Sequence, residues 1–473
     1  MKTEAYTHTI DGAGVSSPDQ IGVIDPSCGS VFAQCPSASR EQLDRAVEAA
    51  RNSAGSWQRL GFDGRRAYLE KFAAALRDSI DALTPLLTQE QGKPLDQSRA
   101  EILRAAESTP RLCALTVEDE VLNETPTERV ELRHRPLGVV GVISPWNAPI
   151  GLAVLRMAQA LYAGNTVVAK PSPYTPLTTL KVGEIARGIF PAGTVNVVAG
   201  GDDLGRWMTE HPGIDKISFT GSVRTGKRVM ASAAASLKRV TLELGGNDPA
   251  IVLPDVDLKQ AAPQIFWTAF RNSGQICMAI KRLFVHEAIY EPMIEALAAI
   301  ARGAKVGNGT EPGVDFGPLQ NKMQFDIVSS LLADTRALPG VRIVTGGAPL
   351  DRPGYFVPPT IVADIADDTR LVREEPFGPV LPVLKFTDID DAIARANDTR
   401  YGLGASVWSN DLDLARGIAD RLEAGTTWIN CHLVSDVHTP FGGCKESGLG
   451  RANSLFGIKE DMEMNVLRIR KAA

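Results

Sequence analysis

Residues 137–170 read LGVVGVISPWNAPIGLAVLRMAQALYAGNTVVAK, and this stretch decides the fold. Two β-branched runs, Val139–Ile143 and Thr166–Ala169, enclose a turn and a helical stretch. Runs of the same kind follow at Thr194–Val198 and Lys216–Phe219. Continuous Val and Ile runs are typical of parallel strands that are buried on both faces. The pattern therefore predicts a βαβ series, in which ligands bind beyond the carboxyl ends of the strands.

The sequence on either side of this series adds three further features. Apolar residues at three- and four-residue steps predict amphipathic helices before it, and a second alternation of strands and helices predicts another α/β unit after it. Two extended polar segments predict outlying strands that pair across a subunit interface, so we expect an oligomer. The ranges are Ser39–Ser53 and Asp63–Gln91 for the early helices, Ala250–Leu253, Lys281–His286, Val380–Phe386 and Gly425–Asn430 for the later strands, Glu287–Arg302 and Leu412–Ala424 for the later helices, and Glu128–Pro136 and Met464–Arg470 for the outlying strands.

The composition is that of a globular protein with more than one packed unit. The chain has 473 residues, 44% of them hydrophobic and 22% charged, so we expect two or three units. A net charge of −6 without a block of Lys or Arg argues against a nucleic-acid partner. No apolar stretch approaches the roughly 20 residues of a membrane span, and the polar start Met1–Pro18 lacks the apolar core of a secretion signal. We therefore expect a cytoplasmic protein with no membrane partner. Six cysteines without C-x-x-C spacing argue against a disulfide framework and a metal site.

Two segments carry groups that suit covalent catalysis. Cys277 follows a Gly-containing approach in NSGQICM, residues 272–278, where a substrate and a cofactor could both reach a thiol. The alternative is a buried cysteine that acts as a small hydrophobic residue. Glu243 lies among apolar neighbours in TLELGG, residues 241–246, where desolvation would raise its pKa toward that of a general base. Its alternative is a salt-bridged structural carboxylate.

Three more segments follow predicted strands and contain polar groups. Asn147, in SPWNAP, could donate to a developing oxyanion or could cap a turn. The run FTGSVRTG, residues 219–226, lies at a strand-to-helix junction where backbone N–H groups could face a phosphate, although it lacks the G-x-G-x-x-G spacing and could be a plain turn. Lys170, in AKPSP, could bind a ribose or could be a solvated lysine.

Taken in this order, SPWNAP, VAKPSPYTP, FTGSVRTG, TLELGG, GQIC, EEPFGP and PFGGCKESGLGR resemble the aldehyde dehydrogenase superfamily. The match runs from about Asp25 to the C-terminus. The resemblance implies an α/β fold with a Rossmann-type cofactor domain, a second α/β catalytic domain and a small β oligomerisation extension. It also implies NAD or NADP as cofactor and a homodimer or homotetramer. The implied ranges are 1–117 and 137–246 for the cofactor domain, 247–448 for the catalytic domain, and 118–136 with 449–473 for the extension.

The resemblance also implies a role for particular residues. Cys277 would be the nucleophile that forms a thiohemiacetal and then a thioester, Glu243 the general base that hydrolyses it, and Asn147 the oxyanion donor. A small-molecule aldehyde would thus be oxidised to its acid. The implied cofactor residues are Lys170 at the adenosine ribose, Gly221 and Ser222 at the pyrophosphate, Glu375 and Phe377 at the nicotinamide ribose, and Ser144, Trp146, Ser172 and Leu244 in the same cleft.

The natural aldehyde stays open. Arg271 and Ser435 match two positions that hold the carboxylate in succinate-semialdehyde dehydrogenases, but the third position is Leu155 here, and a surface-directed Arg271 is an equal alternative. Pro173 replaces a Glu that many NAD-preferring members carry, so NADP use is plausible. The positions implied for the substrate tunnel are Ala148, Gly151, Leu152, Leu155, Trp267, Arg271, Ser435 and Phe441.

Two other functions compete with hydrolytic aldehyde oxidation. One is a semialdehyde dehydrogenase that transfers the acyl group to coenzyme A, and the presence of Glu243 argues against it. The other is a non-catalytic structural relative, since a fold can host a new role. Such a protein could lose Cys277, Glu243 and Asn147, and all three are present.

Overall fold

A computed structural model describes residues 5–471 of the chain. Its strands, in chain order, are β1 (His8–Ile10), β2 (Ala13–Val15), β3 (Gln20–Asp25), β4 (Ser30–Pro36), β5 (Glu120–Glu124), β6 (Glu128–Pro136), β7 (Val139–Ile143), β8 (Thr166–Lys170), β9 (Val195–Val197), β10 (Lys216–Thr220), β11 (Arg239–Glu243), β12 (Asp248–Val252), β13 (Ile280–His286), β14 (Arg342–Thr345), β15 (Thr360–Ala363), β16 (Val380–Phe386), β17 (Gly404–Trp408), β18 (Thr426–Ile429), β19 (Gly448–Leu449) and β20 (Met462–Arg470).

The α-helices lie between and around these strands. In chain order they are α1 (Arg40–Arg59), α2 (Gly61–Asp78), α3 (Ile80–Gln91), α4 (Leu95–Cys113), α5 (Pro149–Ala163), α6 (Leu177–Arg187), α7 (Asp202–Glu210), α8 (Val223–Ala234), α9 (Leu258–Phe270), α10 (Tyr290–Gly303), α11 (Lys322–Arg336), α12 (Arg370–Arg373), α13 (Ile389–Asn397), α14 (Leu412–Ala419) and α15 (Ser454–Glu460).

The first sheet has eight strands in the spatial order β19-β11-β10-β7-β8-β9-β1-β2. Its five central strands, from β11 to β9, are all parallel. The residues of β8 and β10 are buried throughout, which explains their continuous apolar runs. Helix α5 connects β7 to β8. The predicted βαβ series is therefore confirmed, and the sheet is of the Rossmann type.

The second sheet has seven strands in the order β14-β15-β16-β13-β12-β17-β18 and confirms the second α/β unit. Two helix boundaries differ from the prediction. The helix expected over Leu412–Ala424 ends at Ala419, because the Asn397 side chain donates to the Arg421 carbonyl and accepts from the Glu423 N–H, two backbone groups that a longer helix would use. The helix expected from Glu287 begins as a 3-10 turn, and α10 starts at Tyr290.

The first 36 residues contain structure that the pattern of helices did not predict. Strands β1 and β2 join the edge of the first sheet, where Thr9 pairs with Val197 of β9. Strands β3 and β4 form a separate antiparallel pair. The helical stretch expected over Asp63–Gln91 is divided at Ser79 into α2 and α3.

A third sheet, in the order β20-β6-β5, is antiparallel and joins the two outlying segments. Strands β6 and β20 pair with each other along nine positions within this chain, so both predicted strands are confirmed, whereas the expected pairing across a subunit interface stays a prediction. Several large apolar side chains of this sheet are exposed, among them Leu122, Met464 and Val466 at 56%, 69% and 58%. Exposed apolar side chains on an open sheet are typical of a surface that another chain covers. Within residues 5–471, none of the helices combines the length and the apolar character needed to cross a bilayer.

Candidate active site

Asn147 lies in the turn between β7 and α5, beyond the carboxyl end of β7. Its Nδ2 donates to the Gln275 carbonyl at 2.9 Å, and its own carbonyl accepts from Lys93 Nζ at 2.9 Å. Lys93 is paired with Glu101, whose carboxylate also accepts two backbone N–H groups from the first turn of α5. A carboxylate is favourable at this positive end of a helix. The pair of Lys93 and Glu101 thus holds the backbone of Asn147 in place.

Cys277 lies in the loop between α9 and β13, and the approach to it has an uncommon backbone. Asn272, Ser273 and Gly274 have positive φ angles of 52°, 53° and 71°. At Gly274 a Cβ would lie only 2.1 Å from the carbonyl oxygen of Gly378, so a side chain has no room there. Non-glycine residues in this region cost about 1–3 kcal/mol each and persist where the surroundings determine them. The glycine in the sequence run is therefore a requirement of close backbone packing.

Glu243 is the last residue of β11, and its carboxylate is buried beside the Cys277 thiol. The residue is 2% exposed. Among residues 5–471, neither carboxylate oxygen accepts a hydrogen bond of regular geometry or takes part in an ion pair. Burial raises the pKa of Glu243, and the charge of Arg156 and the interaction with the Cys277 thiol oppose that rise. Among the described residues, Glu243 is therefore not a salt-bridged structural carboxylate.

The Cys277 thiol interacts with Glu243, so two of the candidate catalytic groups meet. Burial raises the pKa of the thiol well above its ordinary value, and the charges of Glu243 and Glu375 add to the rise while Lys281 opposes it. The residue nevertheless keeps partial exposure. Two other cysteines, at 35 and 113, are at most 1% exposed and fit the description of small hydrophobic core residues.

Lys170 is the last residue of β8, and its buried ammonium has few polar partners. It is 4% exposed, and its Nζ donates to the carbonyl of the adjacent Pro171 at 3.3 Å. Burial lowers the pKa of Lys170 to about 8, against the opposing charge of Asp202. Ser172, also buried, accepts the Tyr174 N–H at 3.3 Å. A lysine with unused donors at the carboxyl end of a parallel strand suits a polar ligand, and the solvated alternative does not apply to a buried side chain.

The run FTGSVRTG forms the end of β10 and the start of α8. Ser222 is the N-cap of α8, and its Oγ accepts from the Thr225 N–H. Gly226 packs closely on Leu244, since a Cβ there would lie 2.5 Å from a Leu244 methyl. The hydroxyl of Ser222 therefore caps the helix, which is the structural alternative that the sequence left open. The other N–H groups of the first turn of α8 still point beyond the helix end.

Glu375 and Phe377 lie in the loop that precedes β16. Glu375 Oε1 accepts from Lys281 Nζ at 2.8 Å and from the Gly246 N–H at 3.2 Å. The Phe377 ring packs edge-to-face with Trp146, with centroids 5.3 Å apart. Trp146 comes from the β7 turn, so this contact joins the loop of the second sheet to the first sheet. Ser144, at the start of the same turn, is buried and donates its N–H to the Lys170 carbonyl.

These groups fit a dinucleotide. Lys170 offers buried donors without strong partners, α8 offers first-turn N–H groups, and Glu375 keeps its Oε2 free of hydrogen bonds from the described residues. Ribose hydroxyls need donors and acceptors, and a pyrophosphate needs N–H groups at a helix start.

The residues expected along the substrate path come from the start of α5, from the end of α9 and from the segment after β18. Trp267 is 41% exposed and stacks on Phe316 with centroids 5.4 Å apart. Arg271 is exposed at the end of α9, and it has no ion pair among the described residues. Partial burial and the charge of Arg104 lower the pKa of Arg271. The other expected residues are Ala148, Gly151, Leu152 and Leu155 at the start of α5, Ser435 in an exposed segment, and Phe441, which forms a bridge with Ala452.

Several residues at this site were absent from the prediction. Lys281 binds Glu375, Arg156 interacts electrostatically with Glu243 and Cys277, and Lys93 donates to the Asn147 carbonyl. A signal existed for two of them, because Lys281 interrupts the apolar strand IKRLFVH and Arg156 interrupts the apolar helix GLAVLRMAQALYA. A charge inside a buried element is costly and often functional.

The fold and the site define a class of protein: a Rossmann-type sheet and a second, largely parallel sheet, with a cysteine in the loop that leads into the second sheet and a buried carboxylate at the end of a strand of the first. The chain belongs to the aldehyde dehydrogenase family, whose family model matches residues 14–467. A betaine aldehyde dehydrogenase of Beta vulgaris chloroplasts is 38% identical, with 93% of this chain and 91% of that protein covered. An aldehyde dehydrogenase of a Fusarium species is 36% identical, with 97% of each chain covered. The NAD+ complex of a Bacillus cereus aldehyde dehydrogenase is 34% identical and superposes with a TM-score of 0.96, covering 99% of this chain and 97% of the other.

Proposed function

We propose that this chain oxidises an aldehyde to its carboxylic acid with NAD or NADP, through a thioester on Cys277. The observation that carries the proposal is the interaction of the Cys277 thiol with the buried carboxylate of Glu243, which accepts no regular hydrogen bond from the described residues. Membership of the aldehyde dehydrogenase family supports the same activity. The Bacillus cereus relative with bound NAD+ supports a nicotinamide dinucleotide as cofactor.

Cys277 supplies the nucleophile. Its thiol loses a proton to solvent, and the thiolate attacks the aldehyde carbon to form a thiohemiacetal. The negative charge then moves to the former carbonyl oxygen, where the Nδ2 of Asn147 and the backbone N–H of Cys277 donate. The hydrogen bond from Asn147 to Gln275 supports this role, because it keeps the amide beside the cysteine loop.

Three groups would hold the dinucleotide: Lys170 at the adenosine ribose, the start of α8 at the pyrophosphate, and Glu375 at the nicotinamide ribose. Trp146 and Phe377 would border the nicotinamide end. When bound, the dinucleotide supplies the two-electron acceptor that turns the thiohemiacetal into a thioester. The residues of the chain fix where its ring lies relative to Cys277.

Glu243 releases the product. Its carboxylate takes a proton from water, the resulting hydroxide attacks the thioester carbonyl, and Cys277 leaves as the thiolate with release of the acid. Burial raises the pKa of Glu243, which makes it a stronger base than an ordinary surface carboxylate. The presence of this base favours hydrolysis over acyl transfer to coenzyme A.

Cofactor preference and assembly belong to the same proposal. Pro173 lies three residues beyond Lys170, the last residue of β8. It places no carboxylate there to repel a 2′-phosphate, so NADP is accepted as well as NAD. The third sheet, with its exposed apolar residues, would pair with other copies in a homodimer or homotetramer. Residues 118–136 and 449–473 would form this extension, 1–117 and 137–246 the cofactor domain, and 247–448 the catalytic domain.

The test is an assay of aliphatic, aromatic and acidic aldehydes with NAD and with NADP, which follows the absorbance of the reduced cofactor. We expect reduction with at least one class of aldehyde and none with Cys277→Ser. A parallel reaction with coenzyme A should yield the free acid and no acyl-CoA. Wild-type activity in the Cys277→Ser variant would refute the proposal, and acyl-CoA as the product would replace hydrolysis by transfer.

A further inference from the structure

Lys281, near the start of β13, is a buried cation whose donors are all used. Its side chain is 3% exposed. Its Nζ donates to the Cys277 carbonyl, to the Gly246 carbonyl at 2.8 Å and to Glu375 Oε1 at 2.8 Å. A lysine ammonium has three N–H groups, so these partners account for every one. The three partners come from three different parts of the chain.

Each partner belongs to a different piece of the proposed machinery. Cys277 carries the nucleophile, Gly246 follows the strand that ends in Glu243, and Glu375 is the carboxylate expected at the nicotinamide ribose. The ammonium also lies 5.6 Å from the centroid of the Phe377 ring. A charged donor in a dry site makes hydrogen bonds that are stronger than those between neutral groups. One side chain therefore connects the nucleophile loop to the loop that borders the cofactor.

We propose that Lys281 is a positioning residue, which holds the backbone of Cys277 against Glu375 and whose positive charge favours the thiolate. The part that concerns Glu375 rests on the proposed function, because it takes that carboxylate as a cofactor contact. The part that concerns the thiol needs no cofactor and is tested without one.

The charges around the thiol determine the direction in which loss of Lys281 should change the pKa of Cys277. Glu243 and Glu375 raise the pKa of the Cys277 thiol and Lys281 lowers it, while Arg156, from α5, adds a second positive charge nearby. Without Lys281, two carboxylates would face the sulfur with a single cation. Glu375 would also lose its only buried ion pair within the described residues. The thiolate would then form less readily at neutral pH.

The test measures alkylation of Cys277 by iodoacetamide against pH, without dinucleotide, with mass spectrometry to follow the peptide that contains this residue. In Lys281→Met we expect alkylation at neutral pH to be at least about threefold slower than in the wild type, since half a pKa unit changes the thiolate fraction about threefold. Lys281→Gln keeps an amide donor without the charge, so it should restore part of kcat but leave the slow alkylation unchanged.

A matched control separates this effect from a general loss of stability. Lys216 is also buried, at 1% side-chain exposure, and is paired with Asp461 at 2.8 Å, but it lies on β10 and contacts the C-terminal segment. Lys216→Met should lower the melting temperature and leave the pH profile of Cys277 alkylation unchanged. An equal slowing in this control would show that a structural disturbance is enough, and it would overturn the proposal.

Glu375→Gln provides a test of opposite sign that does not depend on folding of the lysine variants. It removes a negative charge that raises the pKa of the thiol, so alkylation at neutral pH should become faster, again by about threefold. An unchanged profile in folded Lys281→Met, or slower alkylation in Glu375→Gln, would refute the proposal. Neither result would bear on whether the wild type oxidises aldehydes, which the activity assay decides separately.

Discussion

The Asn147 side chain donates to the Gln275 carbonyl at 2.9 Å, although 128 positions separate the two residues. Asn147 follows β7 of the first sheet, and Gln275 lies two residues before Cys277 in the loop that leads to the second sheet. Gln275 is fully buried, and its Oε1 accepts from the Gln320 N–H at 2.8 Å. This bond brings an amide donor to the cysteine loop before any substrate is present. An amide NH₂ has two N–H groups, so the second one is left for a developing oxyanion, the role that we propose for Asn147.

The first prediction concerns this amide. Asn147→Ala should lower kcat by about 10²–10³, as the loss of one oxyanion donor does in other enzymes, with a smaller effect on KM. Steady-state kinetics with the best aldehyde gives both values. Asn165→Ala is the control, because Asn165 is equally buried but binds the Asp461 carbonyl away from the cysteine. If the two alanine variants lost kcat to the same extent, the oxyanion role would have to be abandoned.

The second prediction is a pH dependence of stability. Burial raises the pKa of Glu243, so the folded protein is destabilised by the ionised carboxylate above that pKa, and this cost disappears below the ordinary pKa of the unfolded chain. Glu243→Gln should therefore increase the unfolding free energy at neutral pH by about 1–3 kcal/mol. The gain should shrink as the pH falls through the raised pKa toward the ordinary carboxyl value. Melting temperatures measured over a pH series would reveal it.

A control for that series is available on the surface. Glu295 is exposed and paired with Arg302, and Glu295→Gln should change the unfolding free energy by less than about 1 kcal/mol at every pH. Equal stability of Glu243→Gln and the wild type across the series would show that the carboxylate is better solvated than its burial implies.

The third prediction concerns the buried pair that holds Asn147. Lys93 and Glu101 have side-chain exposures of 4% and 10%, and loss of one partner leaves an uncompensated charge. Lys93→Met should lower the unfolding free energy by about 3–5 kcal/mol and reduce kcat through displacement of the Asn147 backbone. The comparison is Lys322→Met, whose pair with Asp326 is more than half exposed and should contribute about 1 kcal/mol at most. Similar melting temperatures for the two variants would contradict this interpretation.

The fourth prediction decides between the two interpretations of Arg271. Both Arg271 and Arg104 lack an ion pair among the described residues, and partial burial together with the charge of Arg104 lowers the pKa of Arg271. If the pair attracts an acidic substrate, Arg271→Ala should raise KM for semialdehyde acids about tenfold or more, at about 1.4 kcal/mol per factor of ten, and spare neutral aldehydes. Equal changes in KM for acidic and neutral aldehydes would assign Arg271 to the surface.

Local patterns predicted the strands well but not the contacts between distant segments. The bounds of β7 and β6 were predicted to the residue, because alternation and continuous burial are visible within a few positions. Strands β1 and β2 were missed, because β1 pairs with β9 nearly 190 positions later and its three residues carry no periodic signal of their own. Short strands of this kind depend on their partners for their conformation.

The site shows the same difference between local patterns, which the sequence reveals, and contacts between distant segments, which it does not. Motifs predicted that Cys277, Glu243 and Asn147 belong together; the structure places Glu243 beside the Cys277 thiol and Asn147 against the Gln275 carbonyl. Lys281 was predicted only as part of a strand, since its partners at 246, 277 and 375 are assembled by the tertiary fold. The start of α8 was assigned to a ligand by its sequence, whereas the Ser222 hydroxyl serves as a helix cap.

The most direct test of the central claim is the mass of the Cys277 peptide after a single turnover of Glu243→Gln. Without the base, hydrolysis of the thioester should be slowed about 10²–10⁴-fold, so the acyl-enzyme should accumulate. We predict one equivalent of reduced cofactor per active site and a mass increase equal to the acyl group on the peptide that contains Cys277. One equivalent of reduced cofactor with residue 277 unmodified, throughout the time course, would contradict the account.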